Sequence, residues 1–404
     1  MKIDLNSLSK KYITASSIRA FLLFIPLVII FVKQCAADEF DWSQYLDTSI
    51  LISVLFAFLC ESLASSIHYF IEKKYEDSTK LSVDYDKLVE KYSRENLIEY
   101  KNNKFPVICL VSRKKNSESF NIVVNHDNKS KRYELPKQIA DQSDYLMKAH
   151  KHSKIFNNIN VRLDDIRQDD GNVAISYSKT TYFDSLITNR AIDYKFENGK
   201  TIREIYEPGP FLNKLSESKL SNHLGFNGFV ETSDGKFILV LRGNNLSIGK
   251  NTLSDSIGAS LKTKYCLDDD MNLTSKGIGN AICNEIYDEL RVRVKNNNEM
   301  EKTIFAFYRD ILEGGKPQFL FHYKLENMTQ KQFEENFIKE IKAKKKELKK
   351  KAVIDGTKFV FLNYEELKKC DITAGKLVLP DKNTSFKILP SASAAIVMLL
   401  DYLG

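Results

Sequence analysis

The chain has 404 residues, 43% of them hydrophobic and 28% charged, and a formal net charge of +7. That length allows two or three domains, and the balance excludes a disordered or fibrous chain. The modest charge permits a nucleotide or an anionic surface as partner and requires neither, while six scattered cysteines without a CxxC pair argue against a zinc site and a disulfide framework.

In chain order, residues 20–32 read "AFLLFIPLVIIFV", an uncharged run that polar neighbours extend to roughly one membrane crossing. Residues 49–71, "SILISVLFAFLCESLASSIHYFI", form a second apolar stretch. The intervening segment carries four acids and no Lys or Arg, whereas lysines and an arginine flank the outer ends. The pattern predicts a two-helix transmembrane hairpin over 1–74, with spans at about 17–32 and 49–71 and both termini cytoplasmic. A cleaved signal peptide and a buried core hairpin are the competing readings. Glu61 in the second span is expected to face protein or headgroups, and "SLASS" supplies small residues for close helix packing.

Residues 75–154 read as a stalk helix (83–99), two strands around a polar turn, and a helix over 135–156. Residues 155–404 read as a mixed α/β domain. A hairpin over 225–244 turns at Ser233, Asp234, Gly235 and Lys236. Two strand-like runs flank "EGGKP" (313–317). A Lys-rich helix (330–352), a strand at 358–362 and a closing apolar helix (391–403) follow. The closing helix is too short for a crossing and is expected to pack in the core. The run "KEIKAKKKELKKK" (339–351) reads as a solvated helix face, with attraction to anionic inner-leaflet lipid as the functional alternative. It lacks interleaved aromatics, so no nucleic-acid polymer is expected as a partner.

The chemistry centres on "NEIYDEL" (284–290). Glu285, Asp288 and Glu289 fall at i, i+3 and i+4, one face of a helix. Carboxylates so spaced are one way to hold Mg²⁺ or Mn²⁺ for phosphoanhydride chemistry, with Glu285 and Glu289 as candidate catalytic groups. Exposed helices show the same spacing without function. Arg242, Arg309 and Lys316, with Asn222 and His223, are candidates to meet the phosphates of a ligand.

The order of segments resembles the Nudix fold, whose motif is G-x5-E-x7-R-E-U-x-E-E-x-G-U. Glu285, Ile286, Asp288, Glu289 and Val292 match it. The motif's Arg is Asn284, its first Glu falls near Lys276, and its Gly is Arg291. The resemblance therefore implies a Nudix-like domain over 155–404 that keeps the metal-ligand triad with altered support, so turnover is weakened or absent.

A membrane hairpin joined to such a domain resembles the two-transmembrane Nudix effectors of bacterial CBASS antiphage systems. That resemblance implies a cytoplasmic domain sensing a cyclic nucleotide from a partner cyclase. It also implies homo-oligomeric assembly of the hairpins in the inner membrane, with disruption of that membrane. The alternative expectation is a membrane-anchored, Mg²⁺-dependent Nudix hydrolase acting on a nucleoside-diphosphate derivative.

Overall fold

The computed structural model describes residues 58–63, 66, 80–150, 156–169, 171–243, 251–294, 299–348, 356–380 and 383–404. The chain divides into two compact units, residues 1–77 and 78–404. In the first, the described residues 58–63 and 66 are helical.

The transmembrane and inner-membrane expectation is corrected here. Among the described residues, no helix is long and apolar enough to cross a membrane. A crossing needs ~20 consecutive apolar residues. The longest described helix, Gln330–Leu348, is rich in charge, and the most apolar, Pro390–Leu403, has 14 residues. The spans expected at 17–32 and 49–71 lie outside the described residues except for 58–63 and 66.

The second unit opens with strands β1 (Leu97–Tyr100) and β2 (Asn103–Ser112). Next come β3 (Asn121–Asn125), β4 (Ile159–Asp169) and β5 (Asn172–Thr181), a separate sheet in the order β3-β5-β4. Strands β6 (Gly225–Glu231), β7 (Phe237–Arg242), β8 (Leu253–Ser254) and β9 (Ile257–Ser260) follow. They are succeeded by β10 (Ile304–Asp310), β11 (Lys316–Lys324) and β12 (Gly356–Leu362). The last, β13 (Asp371–Ile372), β14 (Lys376–Leu379) and β15 (Thr384–Lys387), make a second small sheet.

The main sheet has nine strands along the path β1-β2-β10-β11-β6-β7-β12, with β8 on β7 and β9 on β6. β11 and β6 are parallel, and their other neighbours are antiparallel. One end of the sheet therefore gathers the starts of β6 and β11, the end of β10 and the end of β9. There Asp310 pairs with Lys316, and Gly225 pairs with Ser260.

Alternation along the strands supplies two apolar layers. Phe226 and Val230 of β6 join one core with Phe307, Phe319 and Phe321, while Phe229 joins the other with Phe305, Tyr308 and Leu320. The helix Ser275–Leu290 covers the first through Ile278, Ile282, Ile286 and Leu290, the 3.6-residue spacing of one helical face. Its N-cap is Thr274, whose hydroxyl accepts from Gly277 N–H at 2.9 Å, and Arg291 ends it at φ +59°. The closing helix Pro390–Leu403 covers the second layer and is buried almost all round, as a uniformly apolar core helix should be.

The hairpin of β6 and β7, the pair β10 and β11, and β12 form where their apolar runs predict. The stalk helix is shorter than its periodicity predicts. It spans Tyr85–Lys91, and 97–100 pair with β2 instead. Tertiary pairing outweighs helical propensity there. The helix expected at 135–156 breaks into Lys137–Ala140 and Ser143–Lys148. Because β2 pairs with β10, β1 and β2, which precede residue 155, are strands of the main sheet.

Candidate ligand site at one end of the main sheet

The acid helix comes first, because the sequence places its chemistry there. Glu285 faces inward, its side chain 7% exposed, and is hydrogen-bonded to the Lys262 ammonium. Burial works against the Lys262 charge. The Glu285 carboxylate outweighs that and lifts the ammonium above the ordinary lysine value. Asp288, half exposed, lies 3.8 Å from Arg291, and Glu289 is partly buried. Among the described residues, no group of three or more His, Cys, Asp or Glu could hold a metal ion. The triad expected from the spacing thus does not converge. The residues present do not fit Mg²⁺ or Mn²⁺, because the inward acid is already neutralised by a lysine.

The second set of expected residues largely does converge. His223 is fully buried, and its Nε2 lies 3.1 Å from Ser260 Oγ. Burial, then the nearby Lys316 and Arg190 charges, push its pKa well below the usual histidine value, so the ring is neutral. Asn222, held at φ +45°, donates its N–H to Asn189 Oδ1 at 2.9 Å. The Asn189 amide in turn donates to Asn222 Oδ1 at 3.0 Å and to the Glu313 carbonyl at 2.9 Å. The Glu313 carboxylate lies 3.2 Å from Lys316 Nζ and 3.6 Å from Arg190 Nε. Burial opposes that carboxylate charge, but Lys316, Arg190 and Arg242 hold its pKa below the usual glutamate range.

Arg242, at the end of β7, reaches the same neighbourhood. Its Nη1 lies 3.7 Å from where a Cβ on Gly258 would sit, and Asn227 Oδ1 lies 3.3 Å from that point. Asn227 donates to Tyr308 Oη at 2.6 Å and to Gln318 Oε1 at 2.9 Å. Asp255, beside Arg242, is raised to about 6 by burial, with Ser254 donating to its Oδ1 at 2.5 Å. Asp310 is raised to about 7, first by burial and then by the Glu313 charge. Asn222 Nδ2, His223 Nδ1, Arg242 Nε and Asp255 Oδ2 are buried without a hydrogen-bond partner. Buried polar groups are ordinarily paired with protein or ordered water, so these four atoms carry unused hydrogen-bonding capacity.

Arg309 does not join this layer. Its Nε donates to the Gly315 carbonyl at 2.9 Å and its Nη1 to the Asn213 carbonyl at 2.7 Å, so it braces the loop after β10. Residues before and after Arg309 alternate faces along β10, and Tyr308 and Asp310 take the side facing the polar layer. Arg190, Asp255, Asp310 and Glu313 were not among the candidates. The interruption of an apolar run by "YRDILEGGK" (308–316) was the available signal.

An open cleft of about 430 Å³ lies elsewhere, along β12. Phe359, Phe361, Leu379 and Phe386 line it, with Lys236 and Glu366 paired across it at 3.1 Å. Gln330 and Thr384 also line it. Compared with known proteins, the chain matches no family model and no curated protein.

Proposed function

We propose that residues 78–404 sense a cyclic nucleotide, with Arg190, Arg242, Lys316 and His223 meeting its phosphates. The observation that carries this reading is the gathering of three cations and a neutral imidazole around vacant buried polar atoms at the sheet end. Hydrogen-bond donors held in a low-dielectric layer favour an incoming anion more than they would in water. The Nudix-like order of segments in the sequence supports a nucleotide as the ligand class. The engagement of Glu285 by Lys262 supports sensing over turnover. Asn222 and His223 are fully buried while Arg190 and Arg242 are partly exposed, so a ligand that reaches all four acts by favouring an opened state. A ligand shifts such an equilibrium only by its differential affinity for the two states.

The competing reading, a hydrolase of nucleoside-diphosphate derivatives, has only Asp288 exposed on the acid face, with Glu289 partly buried and Glu285 paired with Lys262. One experiment separates the two. The full chain is titrated with cyclic di- and trinucleotides and nucleoside-diphosphate derivatives, with and without Mg²⁺, while products are followed. Binding of a cyclic nucleotide without product, weakened at least 10-fold in Arg242→Gln, is the expected result. Mg²⁺-dependent release of a nucleoside monophosphate, lost in Glu285→Gln, would replace sensing with hydrolysis.

A further inference from the structure

The polar layer sets three cations, Arg190, Arg242 and Lys316, among three carboxyl groups, Asp255, Asp310 and Glu313. With all six ionised the charges cancel, and the layer offers an anion no net attraction. The three carboxyls are not alike. Glu313 has cations close by, Lys316 at 3.2 Å and Arg190 at 3.6 Å. Asp255, between β8 and β9, is 4% exposed, and its Oδ2 has no hydrogen-bond partner. The ionisable groups facing it are Arg242 and Tyr308. Asp310, at the end of β10, is 1% exposed and accepts from the Leu312 N–H at 2.9 Å. It faces Glu313, Lys316, Arg190, Tyr308 and Tyr85, with the Ser391 hydroxyl at the start of the closing helix. A carboxylate buried with an oxygen unserved is costly, and a proton removes most of that cost. Burial accordingly raises Asp255 to about 6 and Asp310 to about 7.

We infer that the layer binds its anion together with protons, one on Asp255 and one on Asp310. This rests on the anion-binding reading above and holds for any compact oxyanion, free or part of a larger ligand. With both carboxyls protonated, three cations face Glu313 alone, and the excess positive charge acts in a low-dielectric layer. An anion beside Arg242 and Lys316 makes each neighbouring carboxyl harder to ionise. By linkage, the anion in turn binds more tightly where those carboxyls are neutral. Arg190 and Arg242 are partly exposed, so the layer reaches solvent at their guanidinium side chains. His223 does not supply the proton. Burial and the Lys316 and Arg190 charges keep its ring neutral.

The test is calorimetric titration of the full chain with sulfate, whose charge is constant over the range used, from pH 5 to pH 8 at fixed ionic strength. Wild type, Asp255→Asn, Asp310→Asn, the double Asn variant and Arg242→Gln are compared. Wild-type affinity is expected to fall by about tenfold per pH unit for each carboxyl that has ionised. Buffers of different ionisation heat should show protons taken up as sulfate binds. Each single Asn variant removes one proton from the dependence, and the double variant binds equally across the range. Arg242→Gln weakens sulfate binding at every pH. A wild type whose affinity is flat, or a double variant that keeps the slope, overturns the proton coupling and leaves the anion site standing. Sulfate bound by neither wild type at pH 5 nor the double variant, or bound with no effect of Arg242→Gln, overturns both. The wild-type slope and its buffer dependence decide the matter should a variant fail to fold.

Discussion

The pairing of Glu285 with Lys262 decides whether the acid helix is a metal site or a structural one, and a double-mutant cycle measures it. The carboxylate is 7% exposed and the ammonium side chain 25% exposed. Lys262→Met leaves a carboxylate buried without its cation, which costs ~3 kcal/mol, at the lower end for a fully buried pair because water still reaches this site. Glu285→Gln keeps an acceptor for the lysine and loses only the charge assistance, ~1 kcal/mol. The double variant removes both charges together, and we expect a coupling of ~2 kcal/mol. The assay is urea unfolding of the full chain, with Mg²⁺ titration of each variant alongside. A coupling below ~0.5 kcal/mol, or Mg²⁺ binding in wild type that Glu285→Gln abolishes, would refute the structural assignment.

Asp310, raised to about 7, binds a proton in the folded state that the unfolded chain releases near the ordinary aspartate value. Its contribution is therefore full at acid pH and lost as pH rises toward 7, at ~1.4 kcal/mol per pH unit. Asp310→Asn should stabilise the chain more at pH 8 than at pH 5 in urea unfolding, and an equal effect at both would sink the assignment. Glu231 shows the opposite sign. His322 and Lys324, each 2.8 Å away, outweigh burial and hold it at about 2. Its stabilisation is present above the ordinary glutamate value and lost as pH falls toward 2. Glu231→Gln should cost ~1–2 kcal/mol at neutral pH and next to nothing at pH 2. Gly228 lies against Phe321, where a Cβ would come within 2.0 Å of the ring. Gly228→Ala should cost over ~2 kcal/mol, partly recovered by Phe321→Leu, as thermal melts would show.

Much of the fold was legible because its elements are local and strongly patterned. The β6 and β7 hairpin announces itself by two apolar runs around Ser233 to Lys236, with Gly235 at φ +77° in the turn. The acid helix follows from Ile278, Ile282 and Ile286 on one stripe. The stalk misled, because helical spacing over 83–99 is a weak prior where β2 offers a pairing edge to 97–100. The site was half legible. Asn222, His223, Arg242 and Lys316 were chosen as phosphate contacts, and the sheet end brings them together with Arg190, Asp255 and Glu313.

By itself the sequence determined the periodicities, the turns and which residue types were on hand for phosphate chemistry. These depend on neighbours a few positions apart. Only the tertiary structure decided which polar groups meet. Lys262 lies 23 positions before Glu285, and its ammonium converts a spacing suited to metal into an ion pair. Arg309 and Lys316 look equivalent along the chain, yet the fold sends one to the Gly315 and Asn213 carbonyls and the other to Glu313. Charge selection of this kind depends on distance in space and on exclusion of water, neither of which local patterning encodes.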